Sequence, residues 1–90
     1  MKVRAHVVIT GLVQGVFFRS ETRREAVTQQ VTGWVRNRHD GRVEAVLEGE
    51  VAAVNAVIAF CQQGPPQARV AHVKVTWEQY RGAFNDFSIR

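Results

Sequence analysis

Ninety residues supply one hydrophobic core and leave too little chain for a second, so the sequence reads as one domain over residues 1–90; its 46% apolar and 22% charged content is that of a folded globular chain. A net charge of +4 suits an anionic partner, either nucleic acid or a small phosphorylated molecule, and equally suits a plain solvated surface. No apolar run approaches the ~18 residues of a membrane span, no apolar leader follows Met1-Lys2, and Cys61 stands alone, so a cytoplasmic setting without membrane contact or disulfide is expected.

In chain order, Val3, Ala5, Val7 and Ile9 alternate with Arg4, His6 and Thr10, the period of a half-buried strand. Val8 falls on the polar side, which implies that the second face is not fully solvated. Gly11 to Gly15 interrupts the pattern. Ser20 to Ala26 reads as a helix, with Glu21 ahead of Arg23 and Arg24 and a thin apolar stripe of Phe18, Ala26 and Val27. Gly33–Asn37 and Arg42–Glu48 then flank His39-Asp40-Gly41, a hairpin signal. A two-residue loop would place Arg36 and Arg38 on the face of Val43 and Ala45. A three-residue loop with Gly41 left-handed pairs Asn37 with Val43, Val35 with Ala45 and Gly33 with Leu47, and only this register keeps the apolar sets together. It also puts Asn37 on the apolar, helix-covered face at the open end of its strand, where a polar side chain is costly without partners.

Val51, Val54, Val57/Ile58 and Cys61 recur at helical spacing until Gly64-Pro65-Pro66 stops them. Val73, Val75 and Trp77 alternate with His72, Lys74 and Thr76 as a fourth strand, and Phe87-Ser88-Ile89 makes a short last one. The order β-α-β-β-α-β plus an edge strand predicts an α+β, ferredoxin-like split βαβ sandwich, with two helices on one face of an antiparallel sheet.

The segment Gly11-Leu12-Val13-Gln14-Gly15-Val16-Phe17-Phe18-Arg19 joins a strand to a helix. Such a junction turns backbone N–H groups toward one point at a helix N-terminus, and Arg19 adds a planar fork suited to two phosphate oxygens. The same spacing also suits a tight turn bearing a surface arginine. No G-x-x-x-x-G-K-[ST] loop and no Asp/Glu/His cluster with two-metal spacing is present, so no metal or cofactor site is indicated. Cys61 falls on its helix's apolar stripe and reads as a core thiol. His6, His39 and His72 read as surface residues, and Trp34 and Trp77 as sheet-face aromatics. A site with only an arginine, an amide and backbone N–H groups needs a substrate with an easy leaving group. Carboxyl phosphates provide one, because a carboxylate leaves readily.

Gly11-x-Val13-Gln14-Gly15-Val16-x-Phe18-Arg19 resembles the first acylphosphatase motif, and Gly33-Trp34-Val35-Arg36-Asn37-x-x-x-Gly41-x-Val43, running on to Gly49, resembles the second. The likeness extends through Gly64-Pro65-Pro66 to Phe87-Ser88-Ile89. It implies a cofactor-free monomer with a five-stranded antiparallel sheet and two helices. It further implies an acylphosphatase acting on small-molecule acyl phosphates, with the backbone of Gln14, Gly15, Val16, Phe17, Phe18 and Arg19 cradling the phosphoryl group. Arg19 would bind its oxygens, Asn37 would orient the attacking water, and inorganic phosphate or sulfate would act as a site ligand. One departure stands out: Gln29-Gln30 replaces the family's Leu-Gly, so either Gln30 takes, at a cost, the left-handed conformation natural to a glycine there, or the turn itself differs. An RNA-binding module shares the element order, but Arg42–Glu48 lacks the stacking aromatics such a module needs, so no nucleic-acid partner is expected. A non-catalytic accessory domain is the other alternative, and the presence of both Arg19 and Asn37 argues against it.

Overall fold

The computed structural model describes all 90 residues. The elements are β1 (Lys2–Leu12), α1 (Phe18–Thr28), β2 (Thr32–Asn37), β3 (Val43–Glu50), α2 (Val51–Gln63), β4 (Arg69–Glu78) and β5 (Phe87–Ile89), in the expected order. The strands lie side by side as β4-β1-β3-β2-β5, and both helices cover one face. β1 pairs antiparallel with β3 and β4, and β2 with β3. β5, however, runs parallel to β2, so the sheet is mixed and the wholly antiparallel expectation is corrected at that edge. The chain leaving β4 passes Glu48, which accepts hydrogen bonds from the Arg81 and Ala83 N–H groups, and enters the sheet in the direction of β2. Three alternating residues reveal a strand's faces but carry no record of its direction.

The hairpin adopts the register that burial demanded: Asn37 opposite Val43, Val35 opposite Ala45 and Gly33 opposite Leu47. The Arg38 N–H donates to the Arg42 carbonyl at 2.8 Å, and Gly41 has φ 89°, the left-handed conformation that the three-residue loop requires. Ala5, Val7 and Ile9 from β1, Val43, Ala45 and Leu47 from β3, and Val35 from β2 are all fully buried beneath the helices.

α2 buries Val54, Val57, Ile58 and Cys61, with Val51 left partly exposed at its first position. Burial pushes the Cys61 thiol up to about 12, as befits an inert core group. In α1 the buried stripe is Phe18, Thr22 and Ala26, at intervals of four, while Val27 is half-exposed. The expected stripe is thus corrected, because residue 27 lies about 100° around the helix from residue 26. Thr22 tolerates burial there with its hydroxyl 4.0 Å from Cys61 Sγ.

The open face of the sheet bears out the hint given by Val8. Arg4, Glu44, Val46 and Glu48 are buried on it. His6 is not a free surface residue: its Nε2 lies 2.6 Å from Glu44 Oε2, and Arg36 reaches the other oxygen at 2.7 Å. Burial pushes Glu44 and Glu48 upward, but their partners more than offset it and hold both carboxyls below the ordinary glutamate value. For Glu48 those partners are the Arg81 and Ala83 N–H groups and the Arg4 guanidinium.

Candidate active site

The site forms where β1 hands over to α1. The helix starts at Phe18, ahead of the Ser20 suggested by the sequence, and no side chain caps it. The N-cap residue is Phe17, at φ 66°, ψ 20°. Gly15 is also left-handed, at φ 73°. Left-handed residues on either side of Val16 bend the chain sharply between β1 and α1. The first N–H of this region to find a helical acceptor is that of Glu21, bonded to the Phe17 carbonyl at 3.0 Å. The N–H groups from Gly15 through Ser20 donate to no protein acceptor. They add to the positive end of the α1 dipole, the ordinary composition of an anion site.

A cavity of about 340 Å³ lies against these groups. Val13, Gly15 and the Phe17–Ser20 turn line it on one side, and Asn37 and Ile89 complete it. The two residues singled out for catalysis, Arg19 and Asn37, therefore share one cavity although 18 positions apart in sequence. Arg19 takes part in none of the chain's ion pairs. Asn37 Oδ1 is the only buried side-chain N or O atom without a hydrogen-bond partner. An unpaired buried acceptor costs about 1–3 kcal/mol, so its retention points to a functional use.

Two features escaped the sequence reading. Gln14, expected to act through its backbone, uses its side chain as a tie: Nε2 donates to the Arg38 carbonyl at 2.8 Å and to the Arg42 carbonyl at 2.9 Å. Those carbonyls belong to the residues that close the β2–β3 turn, so one amide fastens the loop to the strand end carrying Asn37. A long polar residue in a motif is the only signal, and it does not say to what the residue ties. Ile89 reaches the cavity because β5 lies beside β2, a pairing that short strands do not announce.

The larger hollow, about 720 Å³, lies at the opposite end of α1 and is lined in part by Lys2, Gln29, Gln30 and Tyr80. Glu48 within it is already satisfied by Arg4, Arg81 and Ala83. No group of three or more His, Cys, Asp or Glu side chains is placed to hold a metal ion. No helix is long and apolar enough to cross a membrane.

A family model described as acylphosphatase matches residues 5–89. The acylphosphatase of Pelotomaculum thermopropionicum is 53% identical over 88 residues, covering 98% of this chain and 96% of that protein. That of Pyrobaculum islandicum is 59% identical, covering 97% and 93% respectively. Among solved structures, the acylphosphatase from Bacillus subtilis superposes with a TM-score of 0.94 at 34% identity, covering 98% of each chain. The chain belongs to the acylphosphatase family, hydrolases that cleave the carboxyl–phosphate bond of acyl phosphates.

Proposed function

We propose that residues 1–90 act as one catalytic unit, a cytoplasmic monomer that hydrolyses small-molecule acyl phosphates through Arg19 and Asn37 without a metal. The observation that carries this reading is the convergence on one cavity of open backbone N–H groups, an unpaired arginine and an asparagine with an orphaned amide oxygen. The N–H groups of Gln14 to Arg19 cradle the phosphoryl oxygens, and the Arg19 guanidinium takes up charge as it accumulates on phosphate and leaving group. Asn37 holds a water in line with the carboxylate that departs. The water oxygen bonds to phosphorus as the phosphorus–oxygen bond to the carboxylate breaks, and a phosphate oxygen takes the water's proton. The products are a carboxylate and inorganic phosphate, so no side-chain base is required.

The division of labour between the two residues is testable with benzoyl phosphate in the presence of chelator. The parent should turn over under these conditions. Asn37→Ala should lose about 10²-fold or more in kcat, some 2.7 kcal/mol, while inorganic phosphate still inhibits with a near-parental constant. Asn37→Asp, which sets a negative charge beside the phosphate, should lose both turnover and phosphate affinity. A folded Asn37→Ala protein with parental kcat removes Asn37 from the mechanism, and rescue of a chelated parent by a divalent cation overturns the metal-free reading.

A further inference from the structure

The cavity is lined by two segments far apart in the chain. Gly15 and the Phe17–Ser20 turn supply one part, and Asn37, the last residue of β2, supplies another. In-line attack needs the spacing between them fixed, since a displacement on the order of 1 Å can cost about 10²-fold in rate. The sheet does little to fix it at the Asn37 end. Pairing of β2 with β5 stops at Val35, whose carbonyl accepts the Arg90 N–H, and Asn37 is left with β3 alone, opposite Val43. The Asn37 Oδ1 atom has no partner and so supplies no anchor of its own.

The Gln14 side chain spans the gap. Both N–H bonds of its amide are used, Nε2 donating to the Arg38 carbonyl at 2.8 Å and to the Arg42 carbonyl at 2.9 Å. No other hydrogen bond joins residues 13–20 to residues 37–42. The same two carbonyls also accept backbone donors, Arg42 from the Arg38 N–H at 2.8 Å and Arg38 from the Gly41 N–H at 3.3 Å. The turn therefore has its own closing bonds, and what the Gln14 amide adds is a link to the loop. That link starts next to Gly15 and ends on the residue that follows Asn37. The Gln14 side chain does not itself line the cavity. We infer that Gln14 is a positioning residue for turnover, its amide holding Asn37 at a fixed distance from the phosphate cradle while touching no reacting atom.

This role rests on the reading above, in which the cradle binds phosphate and Asn37 holds the water. Phosphate binding then needs the loop alone, whereas turnover needs the loop and Asn37 together. The test is a double-mutant cycle between Gln14→Met and Asn37→Ala, read in kcat for benzoyl phosphate and in the inhibition constant of inorganic phosphate. Methionine keeps the length of the side chain and removes both donors. Gln14→Met should lower kcat by about 10–100-fold and leave the phosphate constant within about threefold of the parent. In the Asn37→Ala background the same change should cost less than about threefold, because the group it positions is gone. Equal losses in both backgrounds, a phosphate constant weakened in step with kcat, or parental kcat in folded Gln14→Met protein each overturns the positioning role and leaves that of Asn37 standing. Parental kcat in Asn37→Ala protein instead overturns the reading of the site, and the positioning role with it. Gln14→Glu carries the test if Gln14→Met does not fold. Its carboxylate keeps the shape of the amide but has no donor for the two carbonyls, and protonation restores one O–H. Its kcat relative to the parent should rise by about threefold or more as pH falls from about 7.5 to about 5, since facing carbonyl oxygens favour the protonated form. A ratio that stays flat with pH overturns the role.

Discussion

The two ends of α1 carry the same irregularity and put it to different uses. Phe17 before the helix has φ 66°, and Gln30 after it has φ 61°; they are the chain's only non-glycine residues in the left-handed region. At the C-terminal end the carbonyls of Glu25, Ala26 and Val27 all find backbone donors. The Gln30 N–H donates to the Val27 carbonyl at 3.1 Å, and the Val31 N–H donates to the Ala26 carbonyl at 2.8 Å, the paired bonds that close a helix through a left-handed residue. Val31 and Ala26 are both buried, completing the closure with an apolar contact. At the N-terminal end the N–H groups stay open, and the nearby Asn37 oxygen has no partner. Backbone strain alone therefore does not mark a site in this molecule. Strain beside unspent hydrogen-bonding capacity does.

The largest test of that contrast is Arg19→Ala. It should lower kcat/KM for benzoyl phosphate by about 10²–10³-fold, as expected when a charged donor to a developing anion is removed. The loss should appear in both kcat and the phosphate inhibition constant, because the proposed mechanism has Arg19 touch the phosphoryl group before and during the reaction. A variant with altered kcat and unchanged phosphate inhibition places Arg19 outside the phosphate site.

Inorganic phosphate itself should distinguish the two ends. At 100 times its dissociation constant it should stabilise the fold by about 2.7 kcal/mol through mass action. Amide exchange should slow chiefly at Gly15–Ser20, with little local change at Gln30 and Val31. Absence of any shift in Tm at millimolar phosphate or sulfate means that the cradle is not formed before the ligand arrives.

Acid should weaken the satisfied end first. Glu48 is 1% exposed, and its partners keep it ionised below the usual glutamate range. A carboxyl depressed on folding contributes stability above its unfolded value, and that stability is lost as pH falls through the folded one. Stability should therefore decline as pH drops below about 4.5, the ordinary glutamate value. Glu48→Gln should be destabilised near neutrality and show a shallower acid decline. A decline of parental steepness in a folded Glu48→Gln protein assigns the acid sensitivity elsewhere, with Glu44 and its His6 and Arg36 partners the next group to test.

How much of this the sequence disclosed depends on whether burial tested the reading. The hairpin register was legible because a one-residue slip would have exchanged Val43 and Ala45 for charged neighbours, and the same argument placed Asn37 on the covered face. The departure at Gln30 was legible from its place at a helix end where a glycine is usual, but the choice between a left-handed residue and a different turn was not, and the structure makes it left-handed. The parallel pairing of β5 was not, because three residues fix no direction, and Ile89 was missed with it. The start of α1 was missed by two residues, since helix-start signals are side-chain caps and Phe17 supplies none. The Gln14 tie was missed because its acceptors are backbone carbonyls, whose positions no residue type reveals. His6 looked like a surface residue because alternation assigns a face but does not identify the Glu44 across it.

The smallest effect gives the sharpest comparison: a glycine at each end of α1. Gln30 donates from its backbone but its side chain makes no hydrogen bond, so Gln30→Gly removes the left-handed penalty without removing a bond. The relief of about 1–2 kcal/mol is offset by the greater freedom that glycine gives the unfolded chain, about 0.4–1 kcal/mol. The net expectation is a stabilisation of about 0.5–1 kcal/mol, read as a rise of a few degrees in Tm for a domain of this size. Turnover of benzoyl phosphate should stay within about twofold of the parent, because the change lies at the end of the helix remote from the cavity. Phe17→Gly should relieve a similar penalty, yet it loosens the turn that lines the cavity, so its kcat/KM should fall by about 10-fold. Thermal melts and steady-state kinetics on both variants decide the matter. If Gln30→Gly is destabilised, the strain at residue 30 is compensated by something other than the hydrogen bonds described. If Phe17→Gly keeps full activity, the strain at residue 17 serves no catalytic purpose, and the two ends of α1 differ less than their open and closed hydrogen bonds imply.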